Sequence, residues 1–404
     1  MKSILLSNLL IAGLILLAPS CKKKDQNITT TDELSEALTE IHDFSQVPGF
    51  AVSVVKDNQL VYQQSFGSAN LEQRSAFTNQ TSLPIGSISK TFIGIAVIRA
   101  IEEGYFTLET DINSILPFTV RNPKNPEAII RVKHLVTHTS GLMDNQQMYL
   151  KAYYQLPDDK GNGAGAEALK SAMGMQMRDG VSLEEYLRSY YLPNGKYYSL
   201  DNFSSEQPGS KWRYSNVASS LCAFLVESAT EMPFKEYVKT KVLAPLSMSS
   251  SSYYIENQNP NQLATLYWDR KTPLPPYAND SYPDGSLYTT NDDLAKYLLE
   301  MVNQGSKVLQ SNESYNQLFK PQLASGVVPA SMAQNQGTFW FINDQQLTHD
   351  GGDPGISCHL EFNQRTGFGY LILTNMDAST PDHKSEFHQF LRQVRFSLDQ
   401  FSRN

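Results

Sequence analysis

The chain has 404 residues, 40% of them hydrophobic, enough to bury a large core in two or three domains or in a single two-lobed enzyme. Its net charge of −8, with no basic stripe to neutralise phosphates, speaks against a nucleic-acid partner. Its three cysteines form no metal-type cluster.

The chain opens on MKSILLSNLLIAGLILLAPSC. Lys2, an apolar run from Ile4 to Ala18 and small residues before Cys21 predict a signal peptide over 1–20; the run is short for a spanning helix. Ala18-Pro19-Ser20-Cys21 resembles the lipobox of bacterial lipoproteins, although Pro19 departs from its commonest form. That resemblance implies lipidation at Cys21, a membrane contact through the lipid, and a periplasmic or outer-membrane-anchored exported protein. Residues 21–44 are then expected to be a lipidated tether and N-terminal linker.

GFAVSVVKDNQLVYQQSFG follows, two β-rich runs around a Lys56-Asp57-Asn58 turn, and predicts a hairpin. SLPIGSISKTFIGIAVIRAIEEG then places apolar residues on nearly every side of a helix over about 87–103, which should lie inside the protein. From about 105 to 285 helical patterns, loops and prolines dominate. Strand patterns return in GTFWFIND, QQLTH, ISCHLEFNQ and GFGYLILTN, and His349 is expected to end its strand before a glycine-rich turn. The chain closes on a helix with Thr380 as N-cap, Pro381 at its first position, and a stripe of Phe387, Leu391, Val394 and Leu398. Early and late strands are best joined in one antiparallel sheet flanked by helices, a mixed α/β (α+β) domain over 45–400 with the helical lobe inserted. A cleft between the lobes is the default ligand site. Cys222 and Cys358 are expected as buried free thiols, Cys222 lying in the apolar helical pattern ASSLCAFLVESA.

Lys90 has no solubility task at the head of a buried helix. Residues three apart share a helix face, so Ser87 and Lys90 can touch while Ser89 points elsewhere. Burial disfavours a charged amine, which would let Lys90 act as a base towards the Ser87 hydroxyl beside the helix N-terminus. Tyr214-Ser215-Asn216, after a Pro208-Gly209 turn, sets a phenol and an amide two residues apart. His349-Asp350-Gly351-Gly352 lets another backbone come close. Ser-x-x-Lys alone is a frequent tetrapeptide; the order of the three groups is what carries weight.

With these three boxes the chain resembles the β-lactamase-related serine hydrolases of the Tyr-x-Asn branch: class C β-lactamases, related D,D-peptidases and esterases. The likeness extends over about 45–395 and includes VPGFAVSVVKDNQLVY, IEEGYFTLETDI, VKHLVTHTSGL, DGSLYTTNDDLAKYL and GFGYLILTN. It implies a β-lactamase/transpeptidase-like fold, Ser87 as nucleophile, Lys90 as its activating partner, and Tyr214 as general base. It also implies that Asn216, His349 and Gly351 meet the substrate, and that the backbone N–H groups of Ser87 and Gly352 form the oxyanion hole. No metal or organic cofactor is implied. The third box reads His-Asp-Gly where β-lactamases usually have Lys-Thr-Gly. A histidine only partly charged near neutral pH, beside Asp350, disfavours a carboxylate-bearing substrate.

The reading is therefore an exported serine hydrolase acting on an ester or amide, of the peptidase or esterase type. Its substrate would be a small molecule or a peptide, with a cell-wall-derived one among the candidates, and a monomer is expected. The alternatives are a class C-like β-lactamase and a non-catalytic binding protein that keeps the fold. His134 and His138 share a helical spacing, but Leu135 stands where a zinc protease needs glutamate, so THTSGL reads as a structural turn. The tyrosines between Met143 and Ser205 either wall the substrate pocket or pack in the lobe with their hydroxyls at the surface.

Overall fold

Asp57 and Asn58 both take left-handed backbone conformations (φ 50° and 61°). Such a two-residue turn matches the twist of the strands it joins. Here it connects β1 (Gly49–Lys56) to β2 (Gln59–Asn70), and Lys56 pairs with Gln59. The computed structural model describes residues 27–157, 163–377 and 384–403. The expected signal peptide, Cys21 and the Thr380-Pro381 helix start lie outside them.

The hairpin lies within an eight-stranded antiparallel sheet, one strand in from its edge. Its other strands are β3 (Ser75–Ala76), β4 (Asn335–Gln336), β5 (Phe341–Asn343), β6 (Gln346–Asp353), β7 (Ile356–Asn363) and β8 (Phe368–Thr374). They run in the order β4-β5-β6-β7-β8-β1-β2-β3, so the last strand pairs with the first. Strand side chains alternate between faces. In β1, Ala51 and Val55 enter the main core while Phe50, Val52 and Val54 enter a second one; in β8, Leu371 and Leu373 oppose Tyr370 and Ile372 in the same way. A one-residue slip would exchange the two sets, which fixes the register.

The second core is roofed by α1 (Thr31–Asp43) and by α5 (Lys384–Ser402), which packs with α1. This corrects, for residues 31–43, the linker expected over 21–44. Thr30 caps α1, accepting from the Glu33 N–H at 3.2 Å while Glu33 accepts from the Thr30 N–H at 3.0 Å, and Leu34 and Leu38 are buried. That capping box and apolar stripe bind the segment to the body.

On the opposite face lie α2 (Ser89–Glu102), α3 (Asn216–Thr230) and α4 (Asn291–Asn303). α2 is buried without a break from Ser89 to Ile98 and packs on α3. Each of its large apolar side chains contributes about 1.5–3 kcal/mol through burial. Residues 103–290, between α2 and α4, are largely helices and loops, with short strand pairs such as Tyr153–Gln155 with Tyr277–Asn279. Cys222 and Cys358 are buried free thiols.

GTFWFIND does not form one strand. Only Phe341–Asn343 is extended; Phe339 turns at φ 58°, and Gly337 donates to the Trp340 carbonyl at 2.8 Å. The reason is packing: Phe339 and Trp340 both enter the core. A side chain on Gly94 of α2 would stand 2.8 Å from the Thr338 carbonyl, so the loop passes directly over the helix. Strand β6 in turn continues through His349 to Asp353, and its glycines are strand residues rather than a turn.

Candidate active site

Ser87 lies in a 3-10 turn, Gly86–Ile88, that runs straight into α2. Lys90 Nζ sits 3.0 Å from Ser87 Oγ and donates to the Asp284 carbonyl at 2.7 Å. Lys90 is fully buried, whereas Ser87 keeps part of its surface open. Ser89 takes no part: its hydroxyl is buried and accepts from the Leu287 N–H at 3.2 Å. The Asp284 carboxyl, also buried, accepts from Ser281 (2.8 Å), Ser220 (3.3 Å) and Tyr149 (3.2 Å). Burial raises its pKa to about 6, against the pull of the Lys90 charge.

The Tyr214 ring centroid is 5.1 Å from Lys90 Nζ. No hydrogen bond joins its phenol to Ser87 or Lys90 among the described residues, so the amine faces the ring. The loop that presents Tyr214 rests on the segment after Val132–Val136. Gly209 donates to the Thr139 carbonyl and Arg213 to the His138 carbonyl, both at 2.7 Å. His138 Nδ1 accepts from the Ser215 N–H at 3.3 Å, and its ring lies 4.5 Å from that of Tyr214. Asn216 begins α3, and Asp144 caps that helix end. One carboxylate oxygen accepts from the Asn216 N–H and Nδ2, both at 2.8 Å; the other accepts from Ser215 Oγ at 2.8 Å and the Val217 N–H at 3.1 Å. The Asn216 side chain is thereby held in one orientation, with no hydrogen bond to its carbonyl oxygen among the described residues.

Strand β6 crosses directly over the Ser87 turn. A side chain on Gly351 would stand 2.0 Å from the Ile85 carbonyl, and one on Gly86 (φ 52°) would stand 2.7 Å from the Gly352 nitrogen. Only glycine permits this approach. It brings the Gly352 backbone beside the residue preceding Ser87.

His349 lies on the same strand, buried, with Nδ1 2.7 Å from the Asp350 carbonyl. A carbonyl only accepts, so the ring proton sits on Nδ1 and Nε2 is left as an acceptor. Burial, with the Lys90 charge adding to it, lowers the His349 pKa to about 4. The ring is therefore neutral near pH 7 rather than partly charged as expected. Asp350 also differs from expectation: its carboxylate points across the sheet to His359 and to Arg395 of α5 (3.2 Å). Its charge still opposes the fall of the His349 pKa, though burial prevails.

The depressed His349 pKa fixes a stability trend. The folded ring binds its proton more weakly than the unfolded one, so its contribution is complete above pH 6.5 and disappears as pH falls through about 4. Between pH 7.5 and 4.5 the wild type should lose about 2 kcal/mol more unfolding free energy than His349→Gln. Urea titrations at the two pH values measure this, and equal losses would contradict it.

A family model described as beta-lactamase matches residues 34–393. The chain belongs to the beta-lactamase family. Protein flp of Staphylococcus aureus (strain MRSA252) is 21% identical over 366 residues, 86% of this chain and 64% of that protein. The chain thus spans just under two thirds of that relative's length. Among solved structures, the octameric penicillin-binding protein homologue from Pyrococcus abyssi superposes with a TM-score of 0.68 at 22% identity, covering 89% of this chain and 77% of that one. A class C beta-lactamase mutant superposes at 0.65 with 15% identity, covering 91% and 98%. At such identities these structures speak for the fold alone, that of the beta-lactamase and penicillin-binding-protein serine hydrolases.

The family motifs account for Ser87, Lys90, Tyr214, Asn216, His349, Gly351 and Gly352, and all seven lie around the Ser87 turn or on the elements bordering it. Sequence reasoning missed Asp144 and the Asp284 carbonyl, and took His138 for a turn residue without seeing that it supports Tyr214. Nothing local marks Asp144, an acidic residue in a polar loop. The tyrosines of the lobe do not simply follow either reading. Tyr149 and Tyr153 hydrogen-bond to each other at 3.1 Å near Asp284, whereas Tyr186 and Tyr191 are buried in the lobe. The hydroxyls of the last two are not at the surface, and burial raises both phenol pKa values.

Proposed function

We propose that the protein is an exported serine hydrolase that forms a covalent acyl-enzyme on Ser87, with an ester or amide of a small or peptide-like acyl donor as substrate. The observation that carries this reading is the 3.0 Å approach of Lys90 Nζ to Ser87 Oγ, with the amine anchored on the Asp284 carbonyl and facing the Tyr214 ring. In the first half-reaction Ser87 Oγ bonds to the carbonyl carbon and its proton passes to the Lys90–Tyr214 pair. The bond to the leaving group then breaks, and the pair returns the proton to the departing oxygen or nitrogen. In the second half-reaction water gives up a proton to the same pair, attacks the acyl carbon, and Ser87 leaves reprotonated. The N–H groups of Ser87 and Gly352 are the donors for the oxyanion. Export rests on the leader and Cys21, which would tether the enzyme by lipid.

A neutral His349 presenting an acceptor supports a peptidase or esterase over a β-lactamase, since it provides no cation for a β-lactam carboxylate. A fluorophosphonate probe should label Ser87, and a fluorescent penicillin should label it slowly and leave slowly. Fast labelling with fast release would instead identify a β-lactamase. Absence of labelling by both reagents would leave a binding protein.

A further inference from the structure

A cavity of about 370 Å³ opens beside the Ser87 turn, and the reaction proposed above makes no use of it. Pro84, Ser286 and Asp353 line its inner end, each within three residues of a group already placed at the site. Gly285 lies close to both: a Cβ there would stand 3.8 Å from Gly86 of the Ser87 turn and 3.9 Å from Asp353 Oδ2.

The walls are aromatic and acidic. Tyr277, Tyr282 and Tyr288 line the cavity with Asp353 and Glu256. Asp353 forms no ion pair among the described residues; burial, with the Asp284 and Asp377 charges adding to it, holds its carboxyl well above the usual range, while a Tyr153 hydrogen bond and the Lys90 charge oppose the rise. A further cation seated against this carboxyl would favour its charged form. The same wall already holds one ammonium: Lys235 Nζ lies 3.6 Å from the Tyr254 ring centroid and 5.8 Å from that of Tyr282. Aromatic faces and a carboxylate together are the chemistry that recognises an ammonium group. The uncharged His349 provides no counter-charge for an anionic substrate.

We propose that this cavity is the specificity subsite for the acyl donor, and that it receives an acyl chain ending in a cationic ammonium group, seated between the Asp353 carboxylate and the tyrosine rings. The proposal rests on the serine hydrolase reading and names its substrate class.

The test compares two p-nitrophenyl esters of one chain length, one acyl chain ending in trimethylammonium and the other in tert-butyl, the same shape without the charge. The wild type should show at least about a tenfold higher kcat/KM on the cationic ester, chiefly through KM. Asp353→Asn should bring the ratio close to one, through a higher KM for the cationic ester. Butyltrimethylammonium should compete with the cationic ester on the wild type, a measurement that does not depend on the variant folding. Equal turnover of both esters, without inhibition by the cation, would overturn the subsite and leave the hydrolase standing. Turnover of neither ester, with no fluorophosphonate labelling of Ser87, would overturn the hydrolase reading and the subsite with it.

Discussion

Ser87→Ala is expected to lower kcat/KM on any ester the enzyme turns over by at least about 10⁴-fold, and to abolish labelling by a fluorophosphonate. The fold should survive, because the lost hydroxyl is partly exposed and its partner is Lys90, which stays anchored on the Asp284 carbonyl. Lys90→Met preserves the length of the side chain and its packing in α2 but removes the proton acceptor, and should cost about as much. The two act as a unit, so the double variant should be no worse than either single one. Additive losses would mean that the amine and the hydroxyl work independently. Unchanged hydrolysis by Ser87→Ala would refute the acyl-enzyme.

Asp144→Ala should be the most damaging change outside the reacting groups. Its carboxylate receives four donors from three consecutive residues at the head of α3. Burial raises its pKa, the hydrogen bonds to Asn216, Ser215 and Val217 opposing that rise. Ionising it therefore costs some stability as pH climbs through its folded pKa. Truncation costs more, because it leaves buried donors with no acceptor, about 3 kcal/mol. It also frees the Asn216 amide and the loop carrying Tyr214, and a 1 Å displacement there is worth about a hundredfold in rate. Asp144→Asn keeps the shape but points an amide at two of the donors, so its effect should fall between wild type and alanine. Denaturant midpoints and kcat/KM for both variants measure this. A stable, fully active Asp144→Ala would show that the head of α3 holds itself.

The core of α2 was legible because Phe92, Ile93, Ile95 and Ile98 leave no polar face, and the first hairpin because Asp57 and Asn58 tolerate left-handed backbone. GTFWFIND misled because its β-rich composition is explained by core packing rather than by pairing: Phe339 and Trp340 fill space under a helix whose Gly94 admits the loop. The helix over 31–43 was hidden by its polar surface, its packing resting on few buried side chains such as Leu34 and Leu38.

What the sequence determined by itself is short-range. The reach from Lys90 to Ser87 follows from helical spacing over three residues, and the alternation of strand side chains from the pleat; both are properties of the local backbone. Only the tertiary structure decided that the Asp284 carbonyl anchors the amine, that Asp144 and His138 hold the Tyr214 loop, and that His349 is neutral. Those outcomes depend on groups far apart in the chain and on how completely packing excludes water from them. No spacing rule encodes either, since each is the sum of many weak contacts closing over one site.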